Sequence, residues 1–103
     1  MLLEEKIKQF LIKKYGEKNI YHNTNKTIKK GFLYTVEILA NYNVMETQSF
    51  NEIYKELGKK YNKRHESIRG AILVYSQNLT SLSSDGFLMY NYMELLKKGI
   101  IKN

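Results

Sequence analysis

The chain has 103 residues and no cysteine, which excludes disulfide bonds, thiolate metal sites and cysteine nucleophiles. It also has no apolar run approaching the roughly 20 residues that a membrane-spanning helix needs. Its start, MLLEEKIKQF, is acidic and then basic where a secretory signal would be apolar. We therefore expect a soluble, cytoplasmic protein whose residues 1–103 form one domain, since this length supports a single core.

Residues that carry catalytic or metal chemistry are also sparse. His22 and His65 are the only histidines, and they lie far apart without a carboxylate pair at metal-ligand spacing. The serines lack the context of a nucleophile elbow, and no glycine-rich phosphate loop is present. The sequence thus predicts neither an enzyme nor a bound metal or cofactor.

Positive charge is what the chain has in excess. Seventeen Lys and Arg face ten Asp and Glu, so the formal net charge is +7 and favours contact with a polyanion. The cations concentrate in residues 1–31 and 55–69, whereas residues 32–54 hold three glutamates and neither Lys nor Arg. A lysine-rich solvated surface, as an AT-rich genome would encode, is the alternative explanation.

Apolar spacing predicts a mainly α fold, a bundle of about five helices. Thr47 or Ser49 can cap the third helix and Asp85 the last. The predicted helices span residues 2–15, 31–41, 50–61, 64–77 and 87–98.

Two segments admit an extended alternative. Residues 19–30 are rich in Asn and Thr, which disfavour a helix, and form either a polar loop or a short β-ribbon. Residues 79–92 could instead form a hairpin around Ser84–Gly86. Either ribbon would add a wing to the bundle, although we prefer a helix for the second segment.

The third and fourth helices, within residues 52–76, have the pattern of a helix-turn-helix. Asn62 tolerates the left-handed backbone that a sharp corner needs. Gly58, four residues earlier, provides the small side chain that lets the second helix cross closely. Such a corner would present the start of the second helix to a DNA major groove.

Three short motifs resemble a known family. They are Lys30-Gly31-Phe32-Leu33-Tyr34, the run Leu57–Asn62 with Ile53-Tyr54 before it, and the pair Ala71-Ile72. Together they resemble the carboxy-terminal DNA-binding domain of the sporulation master response regulator of spore-forming bacteria, over about residues 29–76. The resemblance implies a helical effector domain that binds duplex DNA. It does not carry over that family's base contacts, because Arg69 is the only long donor on the corresponding face, and this chain has no room for a receiver domain.

The predicted DNA-binding residues form two surfaces, one at the corner and one before it. Cationic side chains at the corner would contact phosphates, and polar ones on the second helix would read bases. The phosphate-contacting group is Lys59, Lys60 and Lys63, and the base-reading group is Arg64, His65, Ser67 and Arg69. The second surface, which could equally be a solvated loop, comprises Asn23, Asn25, Lys26, Thr27, Lys29 and Lys30.

These features predict a sequence-specific protein that binds double-stranded DNA by occupying a site. It would serve as a transcriptional regulator, or as a plasmid or phage accessory factor in DNA transfer (conjugation) or partition. The apolar last helix suggests a homodimer. Because the second helix of the motif offers few donors beyond Arg69, a protein-interaction module on the same scaffold is the alternative, and RNA binding is a third possibility.

Overall fold

Five α-helices make up the fold in the computed structural model, which describes residues 1–20, 25–46 and 49–102. A 3₁₀ turn, Glu17–Asn19, follows the first helix. No strand occurs among these residues, which confirms the mainly α prediction, and none of their helices is long and apolar enough to span a membrane. The helices are α1 (Leu3–Tyr15), α2 (Lys26–Asn41), α3 (Phe50–Tyr61), α4 (His65–Leu79) and α5 (Ser84–Lys97).

Helix boundaries agree with the sequence where a capping residue and apolar spacing coincide. α3 has its predicted bounds, and Ser49 caps it by accepting the N–H of Asn51 at 3.2 Å. Thr47, the other candidate cap, lies outside the described residues. The expected cap of the last helix is wrong: Ser83 accepts the N–H of Gly86 at 3.1 Å, whereas Asp85 lies inside the first turn of α5.

Neither predicted β-ribbon occurs in the described part of the chain. Residues 84–92 are helical, so the hairpin over 79–92 is wrong. The ribbon over 19–30 is wrong for residues 26–30, which open α2 five positions before the predicted start at Gly31. Asn25 caps this helix by accepting the N–H of Thr27 at 2.9 Å. Burial of Ile28, only 5% exposed, outweighs the poor helix propensity of the neighbouring Asn and Thr.

The centre of the fold is a close crossing of α2 over α4. A Cβ added to Gly31 would lie 2.7 Å from the Cβ of Tyr75 and even nearer the carbonyl oxygen of Ala71. Only glycine permits this approach, because any side chain would push the two backbones apart. The crossing places the first turns of α2 beside the amino-terminal half of α4.

α5 packs on this core through one face. Phe87 and Leu95 are fully buried, whereas Tyr90 and Met93 remain 47% and 43% exposed. Asn91 is a polar residue on the buried face, where its amide donates to the carbonyl of Phe87 at 2.9 Å and its oxygen accepts the hydroxyl of Tyr15 at 3.1 Å. The helix is therefore buried within the monomer over most of its apolar surface.

Candidate nucleic-acid interface

A three-residue corner joins α3 to α4. Asn62 adopts the left-handed conformation, φ 54° and ψ 50°, as the sequence predicts. The N–H of Lys63 donates to the carbonyl of Gly58 at 2.8 Å, and the N–H of Asn62 donates to that of Lys59 at 3.4 Å. These two bonds form a Schellman motif, which satisfies the last carbonyls of α3 and turns the chain sharply.

Gly58 is required by the corner itself. A Cβ at this position would lie 2.5 Å from the carbonyl oxygen of Lys63. The small residue therefore makes room for the backbone that leads into α4. This contact is more local than the helix-on-helix crossing expected from the sequence.

The first turn of α4 holds a compact group of charges. The guanidinium of Arg64 lies 3.4 Å from one carboxylate oxygen of Glu66, and Nδ1 of His65 lies 2.8 Å from the other. The pKa of Glu66 is lowered, first by the hydrogen bond from its own backbone N–H and then by His65, Arg64 and Arg69. An acidic side chain thus occupies the helix end that would otherwise attract a phosphate most strongly.

Lys59 and Lys63 lie with Arg64 and His65 around a shallow depression of about 670 Å³ at the corner. Its other wall is formed partly by glutamates of α3. The corner is therefore of mixed charge. The remaining lining residues are Glu52, Lys55, Glu56, Gly58, Asn62 and Glu66.

A second, cationic groove of about 410 Å³ runs between α2 and α4. Thr27 and Lys30 of α2 face Lys63, Ser67 and Gly70 across it. These residues come from both surfaces that the sequence analysis treated separately. The close crossing at the centre of the fold is what brings them together.

The amino end of α2 adds further positive charge beside this groove. Lys26, Lys29 and Lys30 are exposed in its first turns, and the first turn contains no acidic residue. Helix dipoles favour anions at this end and disfavour cations. The arrangement costs stability and produces a strongly electropositive helix end.

Lys60 points elsewhere. Its ammonium lies 3.0 Å from a carboxylate oxygen of Glu37 on α2, and the hydroxyl of Tyr61 donates to the same carboxylate. That hydrogen bond, more than burial, raises the pKa of Tyr61 to about 12. Lys60 is thus held in an intramolecular ion pair and is not among the residues that line the groove.

The exposed side of α4 is poor in hydrogen-bond donors along its centre. Gly70 leaves it bare, since a Cβ there would meet nothing within 4 Å. Ser67 lies on the flank that faces α2. Arg69 is exposed on the other flank, where its positive charge acts on the hydroxyl of the buried Tyr54. Ser67 and Arg69 therefore lie on two edges of this side, with Gly70 between them.

Some contributors to this surface escaped the sequence analysis. Tyr34 and Val74 line the groove, and Val74 is 39% exposed. For Tyr34, the available signal was the register of α2, which Asn25 as a cap and Ile28 and Phe32 at helical spacing indicate. Val74 is brought to the groove by the packing of α4 against α2. Of the predicted residues, Asn23 lies outside those described.

The described residues contain no group of three His, Asp or Glu side chains that could hold a metal ion. Comparisons with protein-family models, with curated proteins and with solved structures find no match to this chain. A functional assignment therefore depends on the geometry and charge of the surface formed by α2, the corner and α4.

Proposed function

We propose that this protein binds double-stranded DNA through a helix-turn-helix formed by α3 and α4. The observation that supports the proposal is the shared groove, in which Thr27 and Lys30 of α2 lie beside Lys63 of the corner and Ser67 of α4. Two cationic segments more than 30 positions apart in sequence thereby make one continuous surface. A continuous basic surface is the electrostatic signature of nucleic-acid binding.

In this arrangement α4 enters the major groove and the amino end of α2 contacts the flanking backbone. α4 has 15 residues, so it is about 22 Å long and can follow the groove over its amino-terminal half. The exposed ammonium groups of Lys26, Lys29 and Lys63 supply phosphate contacts, which give affinity without sequence information.

The side chains that contact base edges lie on the two edges of α4. Arg69 on one edge is the residue best suited to guanine, because a guanidinium can donate two hydrogen bonds to its O6 and N7. Ser67 on the other edge provides a short donor, and Gly70 between them has no side chain to hold the helix backbone away from the bases at that position. Arg64 and His65 complete the reading group at the helix start, where Glu66 moderates their charge.

Duplex DNA rather than a protein partner is the preferred ligand because cations surround α4 on two sides. The protein-interaction alternative rests on the weak charge along the centre of α4. That alternative predicts that lysines of α2 have no influence on binding, whereas a DNA ligand would contact them.

Two copies acting together would supply the affinity that one small reading head lacks. The proposed role is therefore site occupancy by a homodimer, as a transcriptional regulator or as an accessory factor in the transfer or partition of plasmid or phage DNA. Half-sites would be about 34 Å apart, one helical turn of DNA. Sedimentation of the protein with and without its selected duplex would determine the stoichiometry.

Selection from random duplexes followed by fluorescence anisotropy tests the proposal. We expect Arg69→Ala to weaken the selected duplex by about 1–3 kcal/mol and to relax specificity at one base pair. Lys30→Ala should weaken selected and random duplexes alike and reduce the salt slope by about one. Lys97→Ala, at the carboxyl end of α5 and outside this surface, is the matched control. Absence of duplex binding at low salt, or equal losses in all three variants, would refute the proposal.

A further inference from the structure

Another basic groove, separate from the one between α2 and α4, lies between α1 and the carboxyl end of α5. Its volume is about 550 Å³, within the range of small-molecule sites. Phe10 and Ile100 form its apolar part. The groove shares no lining residue with the surface proposed for DNA. Its polar lining residues are Lys6, Gln9, Lys13, Lys14, Glu94 and Lys98.

On one wall of this groove, the charges of Lys14 and Glu94 already neutralise each other. The ammonium of Lys14 lies 3.3 Å from Glu94 and 4.2 Å from the ring centre of Tyr90. The pKa of Glu94 is lowered, first by a hydrogen bond from Tyr90 and then by Lys14. The single acidic residue of the groove is thus engaged by its neighbours.

Three other lysines line the groove, and of these Lys98 acts on Glu94 through its charge but forms no ion pair with it. Within residues 1–20, 25–46 and 49–102, no carboxylate lies within ion-pair distance of Lys6, Lys13 or Lys98. Lys6 and Lys13 are seven positions apart on one face of α1, with Phe10 between them. The apolar part is therefore bracketed by positive charge.

We propose that this groove binds a small organic anion that has an apolar aromatic or aliphatic body. The body rests on Phe10 and Ile100, and the acidic head lies between the ammonium groups of Lys6, Lys13 and Lys98. A small molecule fits better than a peptide helix, because a helix needs a row of apolar anchors along its length. The groove offers only two apolar residues, at one place.

Titration of the ¹⁵N-labelled full chain with 1-anilinonaphthalene-8-sulfonate, followed by NMR, tests this site. We expect saturable shifts at Lys6, Phe10, Lys13 and Ile100. The double variant Lys13→Gln with Lys98→Gln should bind about three- to tenfold more weakly, since each partly screened charge contributes modestly. Inorganic phosphate, which has no apolar body, should not saturate the site.

The double variant Lys8→Gln with Lys18→Gln is the matched control, because it removes two charges from residues that do not line the groove; Lys8 pairs with Glu5 at 3.4 Å. Retained affinity in this variant, with native circular dichroism in all variants, supports the site. Four results would overturn the proposal. They are chemical shift changes confined to other residues, an equal loss of affinity in the control variant, binding of phosphate as tight as that of the probe, and sedimentation that shows the probe displacing a second copy of the chain.

Discussion

Charge reversal at the start of α2 should move stability and DNA affinity in opposite directions. Lys26 occupies the first position of α2, whose first turn contains no acidic residue. Lys26→Glu removes a cation from the positive end of the helix dipole and adds an anion there, each worth about 0.3–1 kcal/mol. We expect the free energy of unfolding to rise by about 0.5–2 kcal/mol. Duplex binding should weaken by about tenfold, because a phosphate contact becomes a repulsion.

Urea denaturation followed by circular dichroism gives the first quantity, and fluorescence anisotropy with a labelled duplex gives the second. Lys97→Glu is the control with the same change in net charge. It lies in the last turn of α5, where the dipole favours a cation, so this variant should lose about 0.5–2 kcal/mol of stability. Equal weakening of DNA binding by both variants, or a destabilised Lys26→Glu, would refute the reasoning.

The same structure predicts the effects of five further substitutions. Tyr75 and Tyr54 are both fully buried, but the Tyr75 hydroxyl has no hydrogen-bond partner among the described residues, whereas that of Tyr54 donates to a carboxylate of α5 at 2.5 Å. In thermal denaturation, Tyr75→Phe should therefore be neutral or stabilising and Tyr54→Phe destabilising by about 1.5–3 kcal/mol, and the opposite order would contradict these assignments. Gly58→Ala should cost about 1–3 kcal/mol because its Cβ meets the corner carbonyl. Gly70→Ala, whose Cβ would contact no other atom, should raise the free energy of unfolding by about 0.5–1 kcal/mol. Urea denaturation that gives the same change in stability for both glycine variants would contradict the corner geometry. Glu66→Gln should tighten duplex binding at neutral pH by about twofold, since it removes an anion from the DNA-facing side, and unchanged anisotropy would place Glu66 away from the phosphates.

Elements defined by local interactions could be predicted from the sequence. The bounds of α3, its Ser49 cap and the left-handed Asn62 follow from short-range rules, and the structure reproduces them. The start of α2 was missed because local rules conflict there. Asn25 can cap a helix, but the neighbouring Asn and Thr disfavour one, and the burial of Ile28 in the core decides for the helix.

For the candidate surface, too, the local features could be predicted from the sequence and the side-chain directions could not. The excess of lysine and arginine and the corner between two helices were evident from residue types and spacing. The direction in which each lysine points was not: Lys60 and Lys63 are three positions apart, yet one pairs with Glu37 and the other lines the groove with Lys30.

The sequence by itself determined the helical class, the corner at Asn62 and the positive charge, because each depends on residues close together in the chain. Tertiary structure alone decided that the amino end of α2 lies beside α4. That juxtaposition depends on the backbone contact at Gly31, where the absence of a side chain lets two helices 40 positions apart meet. A single close backbone contact produces no periodic pattern in the sequence. Neither the groove between α2 and α4 nor the groove between α1 and α5 could therefore be recognised before the helices were packed.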